Sequence, residues 1–204
     1  MNLNELNSIQ HVISQQIDDS IRLKEHLKNQ TEILVKVATE ISEAYQKGNK
    51  VLLFGNGGSA GDAEHIATEL LGKFYKERNP LPAIALTTNT LSITAIANDY
   101  GYEKVFARQV QALAVEGDIV IGISTSGNSA NVVSGLKTAK ELGMRTVALV
   151  GKGGKITDIA DYIISFPSTD TPRIQEAHIT AGHIICYLVE EIMEMALNPS
   201  RNER

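Results

Sequence analysis

Two short apolar segments, each running through a loop of small residues into a helical pattern, constrain this chain more than any other feature. The first is Val51–Phe54, followed by Gly55-Asn56-Gly57-Gly58-Ser59. The second is Ile119–Ile123, followed by Ser124-Thr125-Ser126-Gly127-Asn128-Ser129 and a helical pattern from Ala130. A glycine-rich turn lets backbone N–H groups approach an anion, and a helix start favours negative charge. One Ser or Thr suffices to cap a helix, yet the second loop has four hydroxyls in six residues. That surplus suits the oxygens of a phosphate and a sugar.

Three more segments read as strands of the same kind, namely Ala83–Leu86, Thr146–Val150 and Tyr162–Phe166. Helical stretches fall between them at about 60–71, 90–97, 102–114 and 130–142, with a last helix from Arg173 to about Met195. Strands rich in Val, Ile and Leu without polar alternation predict a parallel sheet buried on both faces. The fold class expected is α/β, a single doubly wound five-stranded parallel sheet. In the flavodoxin-like order 2-1-3-4-5, strands 1 and 3 are neighbours at the switch point, and the two loops flank one crevice.

Residues 3–47 read as two amphipathic helices. Leu6, Ile9, Ile13, Ile17 and Ile21 form one apolar stripe, and Ile33, Leu34, Val37, Ile41 and Tyr45 form another, with Gly48 as a stop. This pair (residues 1–49) is expected to pack on the sheet or on a second subunit. With residues 50–197 it makes one globular unit, and the polar tail Asn198–Arg204 is expected to fray.

The formal charge of −5 over 204 residues argues against a nucleic-acid surface, which needs clustered Lys and Arg. A single cysteine, Cys186, allows no internal disulfide. Met1–Gln10 lacks the apolar core of a leader, and runs such as Ile119–Ile123 are too short to span a bilayer. A soluble cytoplasmic protein is the expectation.

A dinucleotide site is the competing reading, since Gly55-x-Gly57-x-x-Ala60 fits a loose Rossmann fingerprint. That fingerprint requires an acidic residue about 20 positions on. The second strand ends instead in Leu86-Thr87-Thr88-Asn89.

His65 and Glu69 stand four residues apart on the helix after the first loop, so they share a face. The spacing suits two metal ligands, an acid–base pair, or a solvated surface pair. The last helix carries Gln175, His178 and His183 among apolar residues. A histidine on such a face is ordinarily a hydrogen-bonded core residue, the expectation for His178. Gln175 and His183 are about 12 Å apart along a regular helix and about 80° apart around it. Spacing alone therefore does not make them ligands of one ion.

Four stretches together carry a resemblance: Val51–Glu69, Ile96–Gly101, Gly122–Ser129 and Arg173–His178. They resemble the phosphoheptose isomerases of the SIS (sugar isomerase) superfamily, over nearly the whole chain. The resemblance implies conversion of D-sedoheptulose 7-phosphate to D-glycero-D-manno-heptose 7-phosphate, for ADP-heptose or a related glycan precursor. It also implies one zinc per site and a homotetramer with sites at subunit interfaces. Carried over, substrate binding falls to Asn56, Gly57, Gly58, Glu69, Asn98, Asp99, Ser124, Thr125, Ser126, Ser129 and Gln175, with Ser59 added from its place in the first loop. The metal ligands implied are His65, Glu69, Gln175 and His183, with Glu69 as general base and His183 as general acid.

One departure stands out. Where some relatives carry a carboxylate immediately before the Arg of Arg-Ile-Gln-Glu, this chain has Pro172, with Asp170 two residues earlier. The alternatives are a non-catalytic sugar-phosphate sensor and a tetrameric SIS protein that assists the bacterial replication initiator. The latter differs from the enzymes notably at the position of His183, which this chain retains together with Glu69.

Overall fold

Five strands, Val51–Gly55 (β1), Ala83–Ala85 (β2), Ile119–Ser124 (β3), Arg145–Val150 (β4) and Tyr162–Ser165 (β5), pair in the order β2-β1-β3-β4-β5. Every pairing is parallel. The computed structural model describes residues 3–197, with side chains from Ile9 to Ala196. The Leu6 side chain and the tail Asn198–Arg204 lie outside the described residues. Helices are Leu3–His26 (α1), Thr31–Gln46 (α2), Gly58–Leu71 (α3), Thr90–Tyr100 (α4), Val105–Leu113 (α5), Ala130–Glu141 (α6) and Thr171–Leu197 (α7).

Alternation along the strands divides the core in two. Val51 and Leu53 of β1, with Ile119, Ile121 and Ile123 of β3, face α2, α3 and α7. Leu52 and Phe54, with Val120, face α5 and α6. Phe54 stacks on Phe106 at 4.8 Å between ring centroids. Gly135 of α6 admits that pair, because a Cβ there would lie 2.7 Å from Phe54 Cζ. Burial on both faces holds for β1 and β3 throughout and for β4 beyond Arg145. The two outer strands differ from expectation: Ile84 of β2 is 38% exposed and most of β5 is half-buried, since an edge strand has a neighbour on one side only.

The sequence places the strands within a residue or so, whereas helix bounds shift more. The stretch predicted as one helix over 102–114 is a 3₁₀ turn, Tyr102–Lys104, leading into α5. Helix α4 runs on to Tyr100 and stops at Gly101, whose φ of 87° suits glycine. Helix α7 starts two residues earlier than expected, with Pro172 in the first turn, where its missing N–H breaks no helical bond.

The two N-terminal helices have different fates. Leu34, Val37, Ala38, Ile41 and Tyr45 of α2 are buried in the same core as α3 and α7. Among the described residues of α1 only Leu23 near its end is buried, while Ile9, Val12, Ile13, Ile17 and Ile21 are each about half exposed. Among the described residues, no helix is long and apolar enough to cross a membrane.

The ends of β1 and β3 remote from the loops are joined by Asp118, whose side chain is fully buried. It accepts from the Lys50 and Val115 backbone N–H groups at 3.0 and 2.8 Å, and from Lys50 Nζ at 2.6 Å. Removing one partner of a buried pair leaves the other unpaired. Asp118→Ala is therefore expected to cost about 3 kcal/mol. A lower urea midpoint with an unchanged m-value is the result to look for.

Candidate active site

Because β1 and β3 pair in register up to Gly55↔Ile123, their loops leave the sheet side by side. Between them lies a cavity of about 280 Å³, lined by Asn56, Gly57, Gly58, Ser59, Ser124, Thr125 and Ser129 from the loops and helix starts. Thr171 and Gln175, from the first turns of α7, close a third side. No lining residue is cationic. The polar groups are hydroxyls, amides and the backbone at the start of α3, where unsatisfied N–H groups and the helix dipole favour an anion. A Cβ at Gly58 would lie 2.3 Å from Gln175 Nε2, so a larger residue there would push the Gln175 amide aside.

The loops are tied to each other. Asn56 and Asn131 exchange two amide hydrogen bonds, each 2.8 Å, and Tyr102 donates its hydroxyl to Asn56 Oδ1 at 3.2 Å. Ser124 Oγ and Ser129 Oγ lie 3.1 Å apart. Asn131 is buried, and the sequence pattern does not single it out. The available signal is an amide in the first turn of α6 between apolar neighbours, which is weak.

Besides His65, Glu69 and His183, three of the expected site residues do not line this cavity. Asn98 and Asp99 are exposed on α4, where Asn98 Nδ2 donates to Asp99 Oδ1 at 2.8 Å. Ser126 lines an adjoining cavity of about 220 Å³ with Thr125, Lys152 and Thr171. Asp170 lines a different hollow, beside Asp19, Arg22 and Arg173.

Further along the same two helices, α3 presents His65, which is exposed, and Glu69, and α7 presents His183. His65 Nε2 is 3.0 Å from Glu69 Oε1 and 3.3 Å from His183 Nε2. One ligand atom from each of the three lies within 4.8 Å of the others. Tetrahedral ligands about 2.1 Å from a zinc-like ion are roughly 3.4 Å apart, so the donor types and the two separations made by His65 suit such an ion. Gln175, two turns before His183, sits against Gly58 at the cavity. Burial pushes the His183 imidazole below its ordinary pKa; His65 adds to this and Glu69 opposes it. Asp62, one turn before His65, is pushed up to about 6 by burial, against the pull of His65.

A strand-loop-helix cradle duplicated at the switch point of a doubly wound sheet defines the SIS class of sugar-phosphate domain, and the SIS domain profile matches residues 16–151. A phosphoheptose isomerase from Aquifex aeolicus is 60% identical over 161 residues, covering 78% of this chain and 84% of the relative. One from Aneurinibacillus thermoaerophilus is 55% identical over 183 residues, covering 88% and 92%. The solved phosphoheptose isomerase of Neisseria gonorrhoeae superposes with a TM-score of 0.84 at 41% identity, over 90% of this chain and 99% of that one. The chain belongs to the phosphoheptose isomerase family of SIS-domain enzymes.

Between Gln175 and His183 on α7 lies His178, fully buried with its ring edge-on to Phe166 at 5.5 Å. It is the core histidine expected here: its ring nitrogens lie apart from other side-chain partners, and the Val150 backbone is the polar group that interacts with the ring. Burial pushes its pKa down to about 4, with the Val150 backbone opposing. The unfolded chain, with an ordinary histidine pKa near 6.5, then binds the proton first as pH falls. Stability contributed by the neutral ring is complete above about pH 6.5 and is lost between there and about pH 4. Between pH 7 and pH 5 the parent should lose roughly 2 kcal/mol more than His178→Leu, measured by urea unfolding at both values.

Proposed function

We propose that the protein isomerises D-sedoheptulose 7-phosphate to D-glycero-D-manno-heptose 7-phosphate, supplying ADP-heptose or a related glycan precursor. The observation that carries this reading is the convergence of His65, Glu69 and His183 on the two helices that also wall the anion cavity. Ser59 and His65 are six residues apart on α3, about 9 Å along its axis. An extended seven-carbon sugar phosphate bridges that span, with its phosphate at the loops and its carbonyl end at the cluster.

Ketose–aldose isomerisation moves a proton from C1 to C2 through an enediol, with matching proton transfers at the two oxygens. Glu69 is the base that takes the carbon-bound proton and returns it to the adjacent carbon. Its Oε1 faces His65 at 3.0 Å, which leaves the second oxygen for the substrate. His183 serves the oxygens as general acid. Asn56, Gly57, Gly58, Ser59, Ser124, Thr125, Ser126 and Ser129 hold the phosphate end, and Gln175 lies between the two ends. His65, Glu69, Gln175 and His183 would hold a zinc ion, which supplies polarisation of the carbonyl when bound.

The same reading makes the protein a cytoplasmic homotetramer with sites at subunit interfaces. It is supported by the half-exposed stripe from Ile9 to Ile21 and by the outward placement of Asn98 and Asp99 on α4. These two residues bind substrate in the assembled enzyme.

The test incubates zinc-loaded protein with sedoheptulose 7-phosphate and follows heptose 7-phosphate by chromatography. Glu69→Gln is expected to lower turnover by about 10²-fold or more while phosphate binding persists. No turnover by the parent, together with tight binding to the replication initiator, would overturn the enzyme reading in favour of the binding protein.

A further inference from the structure

Besides Asp118, the proposed reaction leaves a second buried carboxylate, Glu190, unused. Glu190 lies seven residues after His183 on α7, two turns along and on nearly the same face. Its side chain is fully buried, and both carboxylate oxygens are occupied. Oε1 accepts from the Phe74 backbone N–H at 3.0 Å and from Arg78 Nε at 2.9 Å. Oε2 accepts from the Tyr75 and Lys76 backbone N–H groups at 2.9 and 3.0 Å. One carboxylate thus gathers the segment that follows α3.

Arg78 faces the other way as well. It donates through Nη2 to the Glu69 carbonyl at 2.8 Å and through Nη1 to the Leu70 carbonyl at 2.9 Å. These are orphan acceptors of the last turn of α3, and a cation there also suits the helix dipole. Glu190 and Arg78 therefore brace α7 against the end of α3 that bears Glu69.

The braced segment returns to the cluster through Phe74. Its ring stacks on the His183 imidazole, with centroids 5.4 Å apart and planes 28° from parallel. His65 meets the same imidazole at 4.9 Å with the planes 69° apart. His183 is thus held between an aromatic face and its partner histidine, and the backbone of that aromatic is pinned by Glu190.

We propose that Phe74 is a positioning residue, held by the Glu190–Arg78 brace, that sets the ring orientation of His183 and so the aim of its Nε2 at His65 and Glu69. The proposal rests on the reading of His65, Glu69 and His183 as a metal-holding catalytic cluster. A brace that served stability alone would leave the cluster indifferent to what stands at position 74.

Phe74→Leu keeps an apolar side chain but removes the stacking face, whereas Phe74→Tyr keeps the face. In zinc titrations against a chromophoric chelator, Phe74→Leu is expected to bind ten- to a hundredfold more weakly, the range typical of lost outer-shell support. Phe74→Tyr should match the parent, and the visible absorption bands of the cobalt-substituted protein should change in the Leu variant only. In turnover, Phe74→Leu should lower kcat and leave KM within a factor of about two. Glu190→Gln should weaken zinc binding in the same direction, and Phe74→Leu keeps the test decisive if that variant does not fold.

Parent-like zinc affinity and cobalt bands in Phe74→Leu, with both lost in His183→Gln, would overturn the positioning role while leaving the cluster reading intact. A parent that takes up no zinc would overturn the cluster reading itself, and this proposal with it.

Discussion

Parallel pairing of β1 with β3 is the constraint on which everything else hangs. The register Val51↔Ile119 to Gly55↔Ile123 brings two strand ends, distant in sequence, to one place. Each strand then feeds a helix through a loop of small residues, so two helix starts arise side by side. A sheet in simple sequential order would separate those loops by an intervening strand. The order β2-β1-β3 puts β2 on the outside and leaves the crevice open where both loops emerge.

Two helices extend that crevice into a site with two ends. Helix α3 begins at the anion cavity with Gly58 and Ser59 and carries His65 and Glu69 beyond it. Helix α7 repeats the plan, with Gln175 at the cavity and His183 two turns on. Packing of α3 against α7 then converts two helical spacings into one cluster. Gly182 permits the approach, since a Cβ there would lie 2.6 Å from Ile66 of α3. A small residue beside His183 is thus part of why the imidazoles meet at all.

The strands, the order of the sheet and the two loops were legible because each rests on local pattern: apolar runs, turn residues and the period of the helices. The pair His65 and Glu69 was legible as a pair for the same reason. The partners of Gln175 and His183 were not legible, because eight residues on one helix say nothing about which neighbouring helix stands opposite; packing sets His183 against His65 and Gln175 against Gly58. Asn131, Phe74 and Glu190 were illegible on similar grounds. An amide in a first helical turn, an aromatic in a loop and a glutamate on a long helix are each common, and their roles appear only when the partner is seen. The outer faces of β2 and β5 were read as buried because composition reports an average over a sheet, and an edge is a matter of order.

The chemistry of the cavity explains how a chain with a formal charge of −5 can hold an anion without a lysine or arginine in the pocket. A side-chain cation would supply more Coulomb attraction, but it would also bring a long flexible stem that must be ordered on binding. Backbone N–H groups and short hydroxyls are already ordered by the turns and helices that contain them. Asn56 and Asn131 hold the two sets at a defined separation, so little entropy remains to be lost when the anion arrives. Fixed dipoles also leave the charged side chains to the other end of the site. In the proposed reaction the carboxylate and imidazoles there would serve the sugar carbonyl rather than the phosphate. Separating neutral recognition at the loops from titratable groups at the cluster lets each end be tuned without disturbing the other.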